Sequence, residues 1–319
     1  MVKYSIVIPV YNEALVIRET YNRIKRVMEQ TDEPYELLFV NDGSKDETLD
    51  ILKELAVRDD TVKYLDFSRK FGHQIAITAG MDYASGKAII IIDADLQDPP
   101  ELMLDMIEKW KEGYDVVYAK RTTRKGETFF KKATAYAFYR LLRTATEIDI
   151  PLGTGDFRLI DRKVRDQLVG MRERSRFVRG LVSWVGFKQT AIEYERDERL
   201  GGKKYPLKKM IRFSLDGITS FSYKPLKLAS LLGFLLSFVS AIWMIVVLYL
   251  KLFTHSTVTG WSSLAMAVLF FNGVVLMMLG VIGEYIGRIY DEVKQRPLYI
   301  LKEGWGVGYE KEKMPYYVE

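Results

Sequence analysis

The sequence predicts an α/β protein with a mostly parallel sheet, followed by a two-helix membrane hairpin. Three observations carry that expectation. Short apolar runs alternate with segments of helical period over residues 1–121, the pattern of a parallel sheet wound by crossover helices. Each run breaks off into polar or charged residues. Further on, residues 228–250 and 262–283 carry no charge, and each is long enough to cross a hydrocarbon core of roughly 30 Å at about 1.5 Å per residue.

Strands are expected at Tyr4–Pro9, Tyr35–Asn41, Val62–Phe67, Ala88–Asp93 and Asp115–Ala119. Between the first two, Ile17, Tyr21, Ile24 and Met28 recur at helical spacing. Ser44 and Glu47 have the spacing of a capping box opening the next helix. Right-handed crossovers bring the residues behind each strand to one edge of the sheet. These are Val10-Tyr11-Asn12-Glu13, Asp42-Gly43-Ser44, Ser68-Arg69-Lys70, Asp93-Ala94-Asp95 and Lys120-Arg121. Ligands of open α/β sheets bind at that carboxyl edge. The chain has no Gly-x-Gly-x-x-Gly, which argues against a dinucleotide in the first crossover.

The most informative stretch is Ile89-Ile90-Ile91-Ile92-Asp93-Ala94-Asp95-Leu96-Gln97-Asp98-Pro99-Pro100-Glu101. Four residues fit for a strand covered on both faces run straight into carboxylates. A turn enforced by Pro99 and Pro100 would fold Asp93, Asp95 and the Gln97 amide toward one hard cation. Mg²⁺ or Mn²⁺ suits an all-oxygen set that shares its ion with substrate phosphates. The plainer reading is an acidic turn that caps the following helix.

Composition narrows the field. Among 319 residues there is no cysteine and there are two histidines, which excludes disulfides, thiolate metal sites and a cysteine nucleophile. The net charge is +5, and the basic residues gather beside the apolar spans, pointing to anionic lipid rather than nucleic acid. Lys203, Lys204, Lys208, Lys209, Arg212, Lys224 and Lys227 precede the first span, only Lys251 lies between the two, and Arg288, Lys294, Arg296 and Lys302 follow. The positive-inside bias therefore places both termini in the cytoplasm. The start of the chain leads directly into a strand and reads as lacking a signal peptide. Residues 130–145 and 205–218 are amphipathic, with aromatic and basic residues suited to the bilayer interface. The expected organisation is a catalytic domain over residues 1–227, transmembrane helices at about 228–250 and 262–286, and a cytoplasmic tail over 289–319. Gly273, Gly280, Gly283 and Gly287 offer a small-residue face through which the protein could form a homo-oligomer.

Ile8-Pro9-Val10-Tyr11-Asn12-Glu13, Val40-Asn41-Asp42-Gly43-Ser44, the Asp93–Glu101 stretch and Gly155-Asp156-Phe157-Arg158-Leu159 together resemble the inverting GT-A glycosyltransferases of family 2. More narrowly, the chain resembles the polyprenyl-phosphate glycosyltransferases of the dolichyl-phosphate-mannose-synthase and bacterial GtrB type. The likeness covers essentially the whole chain. It implies a GT-A, Rossmann-like catalytic domain, a UDP-sugar donor and a polyprenyl phosphate acceptor in a bacterial plasma membrane. It further implies that Pro9, Tyr11, Glu13 and Asp42 hold the uridine, with Ser68, Arg69, Lys70 and Asp93 at the nucleotide or its diphosphate. Asp93, Asp95 and Gln97 would surround Mg²⁺ or Mn²⁺. Asp156 occupies the family's catalytic position, to orient a sugar hydroxyl, to stabilise positive charge on the ring, or to act as a base.

A phosphate monoester acceptor is already ionised near neutral pH and needs cations more than a base. Arg121, Arg124 and Lys125, with Arg199, Lys203 and Lys204, are the candidates to hold it. Transfer of one hexose, glucose or N-acetylglucosamine, to undecaprenyl phosphate is the expected reaction. Two alternatives stand beside it. A processive polysaccharide synthase would carry Gln-x-x-Arg-Trp, where this chain reads Arg176-Phe177-Val178-Arg179-Gly180. A non-catalytic lipid-binding or flippase-associated subunit would have no need of the acidic constellation.

Overall fold

The computed structural model describes residues 1–121, 154–194 and 260–308, with scattered positions between 226 and 253. Eight strands form one sheet: β1 (Tyr4–Val10), β2 (Tyr35–Asn41), β3 (Val62–Phe67), β4 (Ala88–Ile91), β5 (Val116–Arg121), β6 (Thr154–Asp161), β7 (Gln189–Tyr194) and β8 (Leu301–Trp305). Their order across the sheet is β7-β5-β6-β4-β1-β2-β3-β8. The four central strands β4, β1, β2 and β3 are parallel. β6 runs antiparallel between β4 and β5, β7 is parallel to β5, and β8 is antiparallel to β3.

Seven helices are described: α1 (Ile17–Glu29), α2 (Thr48–Arg58), α3 (His73–Tyr83), α4 (Leu102–Lys111), α5 (Arg162–Gly170), α6 (Val178–Trp184) and α7 (Trp261–Val293). Successive strand residues face opposite sides, so Ile6, Ile8 and Ile90 pack with Ile24, Met28, Leu52 and Met103 of α1, α2 and α4. Val7, Ile89 and Ile91 pack on the other side with Ile77, Val164, Leu168 and Leu181 of α3, α5 and α6. Coverage on both faces explains why these strands read as unbroken apolar runs. α3 lies so close to β1 that a Cβ at Gly80 would meet Val7 Cγ1 at 2.1 Å.

The five expected strands are present, with ends moved by up to two residues. Two local expectations are corrected. Ser44 does not cap α2: its hydroxyl donates to Asn41 Oδ1 at 2.5 Å and accepts from the Asn12 amide, while the helix starts at Thr48 without a side-chain cap. Pro99 and Pro100 do not make the acidic turn. Their carbonyls accept from Leu102 and Met103 at the start of α4, and the reversal occurs instead at Leu96, left-handed at φ 55°, beside Asp95 Oδ1 accepting from the Gln97 amide. A leucine in that region is strained and persists only where its surroundings require it.

Among the described residues one helix segment, Phe270–Val293 within α7, is long and apolar enough to cross a membrane, and none of it is buried in the protein. α7 thus extends beyond the 262–286 expected for it. A Cβ at Gly273, Gly280, Gly283 or Gly287 would meet nothing within 4 Å. Nearly half of the first expected span and the whole of both amphipathic stretches fall outside the described residues. Part of the expected cytoplasmic tail is an edge strand of the sheet, β8, with Ser68 N–H donating to Ile300 O at 3.0 Å just beyond it.

Candidate active site

The carboxyl ends of β1 to β5 and β7 and the amino end of β6 meet along one edge, because β6 alone among them runs the other way. Here the loops after β1, β2 and β3 are laced together by backbone donors. Asn12 N–H donates to Ser44 Oγ at 2.9 Å, Lys45 N–H to Asn12 Oδ1 at 2.8 Å, and Glu13 N–H to Thr48 Oγ1 at 2.9 Å. Asp42, buried, accepts from the amides of Phe71 at 2.6 Å and Gly72 at 3.0 Å. Gly43 is left-handed at φ 66°, and a Cβ there would sit 2.7 Å from the Arg69 backbone, so only glycine permits this approach. Pro9 is buried in β1, Tyr11 half-buried, and Ser68, Arg69 and Lys70 exposed. The Lys70 ammonium lies 3.2 Å from the Tyr11 ring centroid.

Next along the edge is the acidic turn. Asp93 Oδ1 is a buried oxygen without a hydrogen-bond partner, with His73 Nε2 3.4 Å away. Burial, and then Asp156, Asp95 and Asp98, push the Asp93 carboxyl up to about 6 against the opposing pull of His73. Gln97 is buried. Asp98, also buried, accepts from the Tyr194 hydroxyl and from Arg121 Nη2 at 3.4 Å. Arg121 Nε donates in turn to Tyr194 Oη at 3.0 Å. Burial and this hydrogen bond to Asp98 push the Tyr194 phenol up to about 12.

Asp156, 6% exposed, stands at the start of β6 with both carboxylate oxygens occupied. Oδ1 accepts from Arg179 Nε at 2.9 Å. Oδ2 accepts from Gln74 Nε2 at 3.1 Å and Arg179 Nη2 at 3.3 Å, with His73 Nε2 at 3.2 Å. Burial alone would raise its pKa, but the His73 hydrogen bond and the Arg179 charge outweigh it and hold Asp156 well below the ordinary value of 3.8. For His73 burial acts downward, and the Asp156 hydrogen bond together with the Asp93 and Asp156 charges outweighs it to raise the imidazole. Arg158 supports the turn from below, donating to Gly155 O at 2.8 Å, and burial brings its guanidinium down to about 10.

Pro9, Tyr11, Glu13, Asp42, Ser68, Arg69, Asp93, Asp95, Gln97, Arg121 and Asp156 thus all lie at this edge. Arg124, Lys125, Arg199, Lys203 and Lys204 fall outside the described residues. His73, Gln74, Asp98, Arg179 and Tyr194 are site residues that sequence reasoning did not select. Asp98 was inside the acidic stretch, and Arg179 inside the segment quoted for a missing motif.

Among the described residues no three His, Asp or Glu side chains form a metal cluster. A divalent ion here would draw on two carboxylates, Asp93 and Asp95, and on donor phosphates. The buried Asp93 oxygen that accepts no hydrogen bond, a carboxyl pKa raised by burial and then by like charges, and the oxygen donors of Asp93 and Asp95 fit such an ion.

The profile of "Glycosyl transferase family 2" matches residues 5–169. "Uncharacterized glycosyltransferase YkcC" of Bacillus subtilis (strain 168) is 69% identical over 96% of this chain and 95% of its own length. "Uncharacterized glycosyltransferase sll0501" of Synechocystis sp. (strain ATCC 27184 / PCC 6803 / Kazusa) is 46% identical over 97% of each chain. "SfII prophage-derived bactoprenol glucosyl transferase" of Shigella flexneri is 43% identical over 94% of this chain and 98% of its own. With its mixed, mostly parallel GT-A sheet, the chain belongs to glycosyl transferase family 2 and is a glycosyltransferase.

Proposed function

We propose that this enzyme transfers one glucose from UDP-glucose to a polyprenyl phosphate held in a membrane, inverting the anomeric centre. The observation that carries this reading is Asp156. A carboxylate whose two oxygens already accept from Arg179, Gln74 and His73, and whose pKa lies well below 3.8, is a poor acceptor of a proton. An alcohol would need a base to attack, whereas an ionised phosphate does not. The relatives named as bactoprenol glucosyl transferases support the choice of acceptor and sugar.

In the proposed mechanism the loops after β1 and β2 receive the uridine at Pro9, Tyr11, Glu13 and Asp42, and Ser68, Arg69 and Lys70 lie toward the diphosphate. Asp93, Asp95 and Gln97 would hold Mg²⁺ or Mn²⁺, which when bound neutralises charge growing on the leaving diphosphate. An acceptor phosphate oxygen attacks the anomeric carbon. The bond from that carbon to the UDP oxygen breaks, UDP departs with the electron pair, and no proton moves. Arg121, with Arg124, Arg199, Lys203 and Lys204, receives the acceptor phosphate. Arg179 and His73 fix Asp156 beside the sugar, where its charge stabilises positive character on the ring.

The topology supports a membrane hairpin. β8 follows α7 in the chain and pairs with β3, which precedes it, so if α7 crosses a bilayer, an earlier segment must cross back. Residues 228–250 are the uncharged stretch available. Both termini then share the cytoplasmic side with the sheet, as the flanking lysines and arginines favour.

The purified full chain should convert UDP-glucose and polyprenyl phosphate to UDP and a single-sugar lipid in the presence of Mn²⁺. UDP-N-acetylglucosamine and GDP-mannose form the control arms. Preference for either would overturn the sugar assignment. Polymer in the product would overturn single transfer.

A further inference from the structure

The segment between α5 and α6 touches both the end of the apolar helix and the acidic centre. Arg174 N–H donates to Glu292 Oε1 at 2.7 Å, and its guanidinium donates to the Arg296 carbonyl. Two residues earlier, Arg172 Nη1 binds Asp82 Oδ2 at 2.8 Å. The Tyr299 hydroxyl, just past α7, donates to that same oxygen at 2.7 Å, and its ring stacks on Phe67 with centroids 5.2 Å apart. Asp82 belongs to α3, the helix whose first turn supplies His73 and Gln74 to Asp156. After the segment, Val178 N–H donates to Gln74 Oε1 at 2.9 Å and Arg179 grips Asp156. One short stretch of chain and one helix therefore connect the end of α7 to the catalytic carboxylate at both of its oxygens.

We infer that the joint between Arg174 and Glu292, seconded by the Tyr299–Asp82 bond, sets the height and tilt of the active site above the bilayer. Arg174, Glu292 and Tyr299 are positioning residues of the transfer reaction. The inference rests on the reading of α7 as a membrane span and of the acceptor as a lipid phosphate. A lipid head group cannot leave the interface, so its phosphate reaches the anomeric carbon only if the catalytic domain is held at a matching depth. A water-soluble acceptor carries no such constraint, since it diffuses to the site from any side. Misplacement by about 1 Å costs on the order of a hundredfold in rate, whereas the Arg174 bonds of this joint are exposed and contribute little to folding.

The test uses the full chain in phospholipid vesicles with two acceptors, a long polyprenyl phosphate in the bilayer and a short-chain, water-soluble prenyl phosphate. Glu292→Ala should lower kcat/KM for the bilayer acceptor by roughly tenfold or more while changing that for the soluble one by less than about twofold. Glu292→Gln keeps an oxygen for the Arg174 amide and should restore the wild-type ratio. Tyr299→Phe keeps the stack on Phe67, loses the bond to Asp82 and should shift the ratio in the same direction by less. An equal fall on both acceptors, or no fall on either, overturns the joint as a positioning device. If the wild-type protein glycosylates neither phosphate, the functional reading falls and this inference falls with it.

Discussion

The two halves of the active edge are held by different forces. On the side of β1 to β3 the loops are fixed by main-chain donors: Asp42 accepts from the Phe71 and Gly72 amides, and the Asn12, Glu13 and Lys45 amides all find side-chain oxygens. On the side of β5 to β7 the side chains hold one another, Asp156 with Arg179, His73 and Gln74, and Asp98 with Arg121 and Tyr194. A main-chain lattice makes a rigid cradle of fixed shape, suited to a flat base and a ribose. Paired buried charges make a site of fixed field, suited to a reaction in which charge moves. Changes to the second half should therefore cost more, because each leaves an uncompensated charge behind.

The largest effect is expected from Arg179→Ala. It strips Asp156 of the partner on Oδ1 and should destabilise the fold by about 3 kcal/mol, as removal of one member of a buried ion pair does, with sugar transfer lost. Thermal denaturation and a transfer assay check this. Asp42→Ala strands two part-buried amides and should cost about 1 kcal/mol, measured by denaturant unfolding, with UDP affinity reduced. An Asp42→Ala chain as unstable as Arg179→Ala would erase the distinction between the halves.

The sign of the pH dependence separates them further. Asp156 has its folded pKa depressed, so its contribution to stability is fully present above the ordinary aspartate value of 3.8 and is lost as pH falls through the folded value. The acid limb of the wild-type stability curve should flatten in Asp156→Asn, read as melting temperature against pH from neutrality downward. An unchanged limb would mean that Asp156 is not the group held ionised. The smallest effect is expected from Ser44→Ala. Because Ser44 bridges Asn41 and Asn12 rather than capping α2, helix content should be unchanged and the cost about 1 kcal/mol.

How much of this was legible in the sequence follows the same division. The strands β1 to β4 alternate with helices at short range, so the polar residues directly behind them, Tyr11, Asp42 and Asp93 among them, could be placed at one edge from the pattern, whereas the uridine role of Tyr11 and Asp42 came from the resemblance. β6 is antiparallel and brings its first residues, not its last, to the active edge. Asp156 was found only through a family resemblance, and its partners Arg179 and Gln74 lie 23 and 82 residues away in the chain. Nothing local marks such pairs. β7 and β8 escaped notice for a related reason: as edge strands they are only partly buried, and they lack the apolar runs that reveal central ones. Ser44 and Glu47 show the converse error, a spacing with a local meaning overridden by the neighbouring loop.

The central claim is that the acceptor needs no base because it arrives ionised. It is tested most directly by offering the purified enzyme, with UDP-glucose and Mn²⁺, a polyprenyl phosphate and the matching polyprenol in parallel, and weighing the lipid products. The account predicts glucosylated phosphate and no glucosylated alcohol. Glucosylation of the alcohol at a comparable rate would contradict it.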